Sequence, residues 1–100
     1  MNKYLVEFLG TLFFLYVILV ATAKNTPFGK IGAAIAIGGA LAISIILGGA
    51  ISGGNFNPAV TVMLAAAGKQ STTDVLPYVL AQVAGGLVAL EIYKRAPQPK

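Results

Sequence analysis

Apolar residues run almost unbroken through three stretches of the chain, 4–23, 31–51 and 75–93, with polar residues gathered between them. Each stretch is close to the ~20 residues that an α-helix needs to cross a hydrocarbon core. In such a core only helices and closed barrels satisfy their own backbone polar groups, so the pattern predicts three membrane-spanning helices. A shorter apolar run follows the second stretch, introduced by Ser52-Gly53-Gly54-Asn55-Phe56-Asn57-Pro58. Asn57 suits an N-cap, and Pro58 suits the first helical position, where its missing N–H would have no intrahelical partner. A helix over 58–67 rises about 15 Å, roughly half of a bilayer core. Glycines and Ser52 crowd the segment before it, and irregular backbone at membrane depth is tolerated only when buried in protein or lining a wet cavity. The pattern therefore predicts one all-α membrane domain over 1–100, with three transmembrane helices and one re-entrant half-helix. On the residues alone, a surface loop leading into an interfacial helix is the competing reading.

The half-helix would carry a polar tip. If the Asn57 side-chain oxygen caps Ala59 or Val60, its NH₂ is left beside the positive pole of the helix dipole, where it donates to a neutral solute and disfavours a cation. Two further polar residues lie inside apolar spans, Glu7 and Gln82. Such groups are costly in a membrane and turn to a partner in the protein interior. Glu7 is only a turn into its span, so a solvated interfacial carboxylate is the plain alternative there. Small residues, among them Gly38, Gly39, Gly48 and Gly49 in the second span and Ala81, Gly85 and Ala89 in the last, predict close helix packing. Lys3, an apolar run and Ala21-Thr22-Ala23 imitate a secretory signal, but Glu7 within the run argues against that reading. Glu91 beside Lys94 and Arg95 predicts a surface ion pair.

Composition sharpens this picture. Hydrophobic residues make up 57% and charged residues 10%, and the mean hydropathy is +0.83, high even for a soluble core. Cysteine and histidine are absent, which removes thiol chemistry, histidine general bases and the usual soft-metal sites. No nucleophile–base pair, metal site or cofactor site is expected, and an enzyme is the least favoured class. The net charge of +4 sits at helix ends, where it reads as membrane anchoring and not as a nucleic-acid surface.

The motif and its flanks resemble the aquaporin and glycerol-facilitator family, the major intrinsic proteins. The resemblance rests on Glu7-Phe8-Leu9-Gly10-Thr11, on Ile51 to Thr61 with its Asn57-Pro58-Ala59, and on Asp74 to Gly86 with Gln82. It matches the first half of such a protein. The resemblance implies a passive path for water or a small uncharged solute such as glycerol. Asn57, Pro58 and Ala59 would form its tip, Ile37, Asn55 and Val60 would line it, and the carbonyls of Gly53, Gly54 and Asn55 would form an acceptor row. It further implies that Glu7 and Gln82 brace the loop. Departures matter too: Ile37 stands where the family usually has an aromatic residue, and Asn55 where it often has histidine. One Asn-Pro-Ala is present, and Val60, not arginine, follows it.

One half of this kind supplies half a pore wall. The family's halves are inverted repeats, so completion is expected from an oppositely inserted partner in the bilayer, either another copy or a different half-channel chain. With a cytoplasmic N-terminus, Lys3 and Lys69 would be inside and Lys24, Lys30, Lys94, Arg95 and Lys100 outside, against the positive-inside rule. The charges thus favour an external N-terminus or leave both orientations open. A structural membrane protein that keeps the half-channel fold without conducting is the alternative function.

Overall fold

The computed structural model describes residues 1–97; Lys100, counted above among the topology charges, lies outside them. The chain forms helices α1 (Lys3–Ala21), α2 (Lys30–Ser52), α3 (Pro58–Ala66) and α4 (Val75–Arg95), with a single 3₁₀ turn at Thr72–Asp74 before α4. Helices α1, α2 and α4 are long and apolar enough to cross a membrane. Helix α3 has nine residues, a rise of about 14 Å. The protein is an integral, multi-pass, all-helical membrane protein with one short helix of half-membrane length, as the apolar pattern predicts.

Capping sets the ends. Asn2 caps α1, its Oδ1 accepting from the Leu5 amide at 2.8 Å. The same helix stops two residues short of the apolar run, because Thr22 turns both its amide and its hydroxyl onto the Ile18 carbonyl. Helix α2 ends at Gly53, whose φ of +90° is one that side chains with a Cβ rarely adopt. Helix α3 closes in a Schellman motif: the Gly68 amide bonds to the Ala65 carbonyl and the Lys69 amide to that of Leu64. Ala67 is therefore the C-cap and not the last helical residue.

Helix α1 packs against both α2 and α4. Its crossing with α4 requires Gly85, where a Cβ would lie 2.6 Å from the Phe8 carbonyl oxygen. On α2 the seam is Ala40, Ser44, Gly48 and Ser52, all buried at four-residue spacing. Gly38 and Gly39 have open space beside them, so those two small residues do not belong to a seam within this chain. The interior is polar for its size: Glu7, Thr11, Ser44, Ser52, Asn55, Thr61, Asp74 and Gln82 are buried, while Ile31, Ile46, Leu47, Leu76 and Leu87 are exposed. Apolar residues outside and hydrogen-bonded polar residues inside suit hydrocarbon as the surrounding solvent.

Candidate functional site

The connection from α2 to α3 folds back into the protein, and the backbone amides of Gly54, Asn55 and Phe56 are taken up by side chains on its inner side. The Gly54 amide donates to Ser52 Oγ at 3.2 Å, that of Asn55 to Glu7 Oε2 at 3.2 Å and that of Phe56 to Glu7 Oε1 at 2.9 Å. The carbonyls of Gly53, Gly54 and Asn55 accept no hydrogen bond among the described residues. Phe56 adopts a left-handed φ of 54° and is 2% exposed. A non-glycine residue in that region costs on the order of 1 kcal/mol or more. Two features hold it there: the bond from its amide to Glu7, and a notch in which its ring lies over Gly10 and Gly48.

Glu7 is the centre of the bracing. Fully buried, it receives four donors: Ser52 Oγ at 2.7 Å, the amides of Asn55 and Phe56, and Gln82 Nε2 at 2.8 Å. A carboxylate is all acceptor, so four donors with no competing acceptor match its lone pairs. Gln82 donates also to Thr61 Oγ1 at 2.9 Å, which ties α4 to the half-helix. The interfacial alternative for Glu7 is thereby overturned, since its carboxyl has no exposure to solvent.

At the tip, Asn57 is the N-cap of α3, with φ −160° and ψ 124°, and its Oδ1 accepts from the Ala59 amide at 2.8 Å. The residue is exposed, and its Nδ2 has no partner among the described residues. Pro58 and Ala59 are exposed beside it, and Val60 is half-buried. Asn57 and Pro58 share a groove of about 640 Å³ with Thr11, Phe14, Leu15 and Gln82, so the tip stands level with the middle of α1. Thr11 Oγ1 and Gln82 Oε1 are buried along this groove without partners among the described residues.

Two of the expected path residues are placed differently from the rest. The Asn55 side chain is buried, its Nδ2 donating to Thr61 Oγ1 at 2.9 Å and to Gln70 Oε1 at 2.7 Å; its NH₂ braces the loop, while its backbone carbonyl and its Oδ1 have no hydrogen-bond partner among the described residues. Ile37 is half-buried on α2, sixteen residues before Gly53 and thus about 24 Å from it along the helix axis. It is not among the residues that line the groove beside Asn57. Several site residues had no signal strong enough to single them out: Thr61, which joins Asn55, Asn57 and Gln82; Tyr78, whose hydroxyl donates to the Ser52 carbonyl at 2.7 Å; and Gln70. Thr61 was the most accessible, a polar residue one turn into an apolar half-helix.

The site is thus a short re-entrant helix with a capped polar tip, its lead-in loop hydrogen-bonded to a buried carboxylate among helices long and apolar enough to cross a membrane. The family profile of the major intrinsic proteins matches residues 1–99, and the chain belongs to that family. It is 35% identical to aquaporin Z of Photorhabdus laumondii and 37% identical to aquaporin Z of Bradyrhizobium diazoefficiens, each alignment covering 92% of this chain. Over 89% of the chain it is 39% identical to glycerol uptake facilitator protein-like 6 of Lactiplantibacillus plantarum. These matches span only 42%, 40% and 41% of the relatives' own lengths.

Proposed function

We propose that the chain forms one half of a passive channel for water or a small uncharged solute such as glycerol, completed by a second half inserted the other way up. The tip of α3 carries this reading: a free Asn57 NH₂ stands at the positive end of the helix dipole, next in sequence to a row of unengaged carbonyls. Donor and acceptors so placed orient a passing hydroxyl and disfavour a cation. Asn57, Pro58, Ala59 and Val60 make the tip, the carbonyls of Gly53, Gly54 and Asn55 make the acceptor row, and Glu7 and Gln82 hold the loop.

The groove beside the tip supports the completing half. It is wide and lined mostly by apolar side chains, among them Phe14, Leu15, Ile18, Leu19, Val83 and Leu87. An inverted second half, from another copy or from a different half-channel chain, would cover this apolar groove and enclose the Asn57 tip between the two halves. The test is stopped-flow light scattering of liposomes holding the protein, under osmotic water and glycerol gradients. Flux well above that of empty liposomes is expected. A folded, oligomeric protein with no excess flux would leave the non-conducting structural role as the better account.

A further inference from the structure

The loop before α3 has a second hold, and it runs through a residue outside the loop. The Asn55 side chain is buried and uses both hydrogens of its NH₂, one on Thr61 Oγ1 at 2.9 Å and one on Gln70 Oε1 at 2.7 Å. Thr61 cannot serve alone. Its hydroxyl donates to the Asn57 carbonyl at 3.3 Å and already accepts from both Asn55 and Gln82, which exhausts one donor and two lone pairs. The remaining hydrogen of Asn55 therefore depends on Gln70.

Gln70 follows the Schellman turn that ends α3, just beyond Gly68 and its φ of +75°. Its oxygen must face Asn55, because the opposite amide orientation would set donor against donor. That orientation leaves Gln70 Nε2 buried without a partner among the described residues. A neutral histidine at position 55 would have one ring N–H and could not feed both Thr61 and Gln70. Asn55 and Gln70 form a matched pair.

We propose that Gln70 is a positioning residue for the solute path, which fixes the carbonyl row of Gly53, Gly54 and Asn55 by anchoring the Asn55 side chain from the far end of α3. The proposal deepens the channel reading and rests on it for solute flux, whereas the clamp itself can be read without flux. Glu7 fixes the amides of the loop, and Gln70 fixes the side chain between them. Removing one bond of this kind shifts a local equilibrium about five- to ten-fold.

The test uses Gln70→Leu, which keeps bulk and removes the acceptor, in the full chain reconstituted in liposomes. Deuterium exchange of the amides over 53–57 should quicken about five- to ten-fold while exchange in α1 and α4 stays as in the wild type. Water flux per protein should fall at least about three-fold, a share of that same shift. Gln70→Glu, which still offers an acceptor oxygen, should restore both. In an Asn55→Ala background, Gln70→Leu should change neither further. Wild-type exchange and flux in Gln70→Leu, faster exchange throughout the chain, or a full additional loss in the Asn55→Ala background would each overturn the proposal. Wild-type liposomes with no flux would sink the channel reading, and the exchange measurement would still decide whether Gln70 clamps the loop.

Discussion

Asn57 divides its side chain between two tasks: the oxygen caps α3, and the NH₂ has no partner among the described residues. Substitutions that separate the two tasks should have different outcomes. Asn57→Asp keeps the capping oxygen but sets a negative charge where the helix dipole disfavoured cations, so solute flux should fall and a cation leak should appear. Asn57→Ala removes the cap, costs about 1 kcal/mol of helix stability and should lower flux without a cation leak. Liposome flux assays with a cation-sensitive dye distinguish these results; a cation leak in both variants would contradict the assignment. Glu7 should respond more severely. In Glu7→Gln one acceptor oxygen becomes a donor facing other donors, which should destabilise the protein by about 2–3 kcal/mol, seen as a lower melting temperature in detergent. At this scale the cap at Asn57, the helix start at Pro58 and the burial of Glu7 and Gln82 were legible in the sequence, because capping chemistry and the cost of a polar group in a membrane single them out. That the Asn55 side chain also braces the loop was not legible, because its partner Gln70 lies fifteen residues away with no periodicity linking them.

The spanning helices were legible because apolar length alone specifies them, and the break at Gly53–Asn57 was legible because glycine and Asn-Pro punctuate the backbone. What sequence could not show is which small residues pack and which face outward. Gly85 and Gly38 look alike in the chain, yet a Cβ at Gly85 would meet the Phe8 carbonyl while Gly38 has open space. Gly85→Ala should therefore separate α1 from α4 and lower the melting temperature clearly, by the equivalent of about 1–3 kcal/mol. Gly38→Ala should be neutral or slightly stabilising, because it favours the helix. Equal melting temperatures for the two variants would refute this packing. Gly10 adds an internal control. Its added Cβ would fall 2.2 Å from the Phe56 ring, so the defect of Gly10→Ala should be partly relieved by Phe56→Leu.

Over the whole molecule, the Lys3–Asp74 salt bridge of 3.0 Å joins the start of α1 to the start of α4, so Lys3 and Lys69 belong to one end of the bundle. Lys24, Lys30, Lys94 and Arg95 belong to the other, where Glu91 pairs with Lys94 at 3.8 Å and with Arg95. Acidic residues contribute little to topology, so these pairings do not cancel the bias, and the end with more lysine and arginine resists translocation. Tags that report glycosylation or cysteine accessibility, placed after Arg95 and in the 24–30 connection, should find this end in the cytoplasm or on both sides of the membrane. Labelling on both sides would supply inverted copies from one chain, and the tips of two such copies would then meet near the middle of the bilayer. Labelling only on the cytoplasmic side would leave the proposed second half to a separate, oppositely oriented chain. A uniformly external position for both tags would contradict the charge argument, and topology would then have to be set by something other than the flanking lysines and arginine.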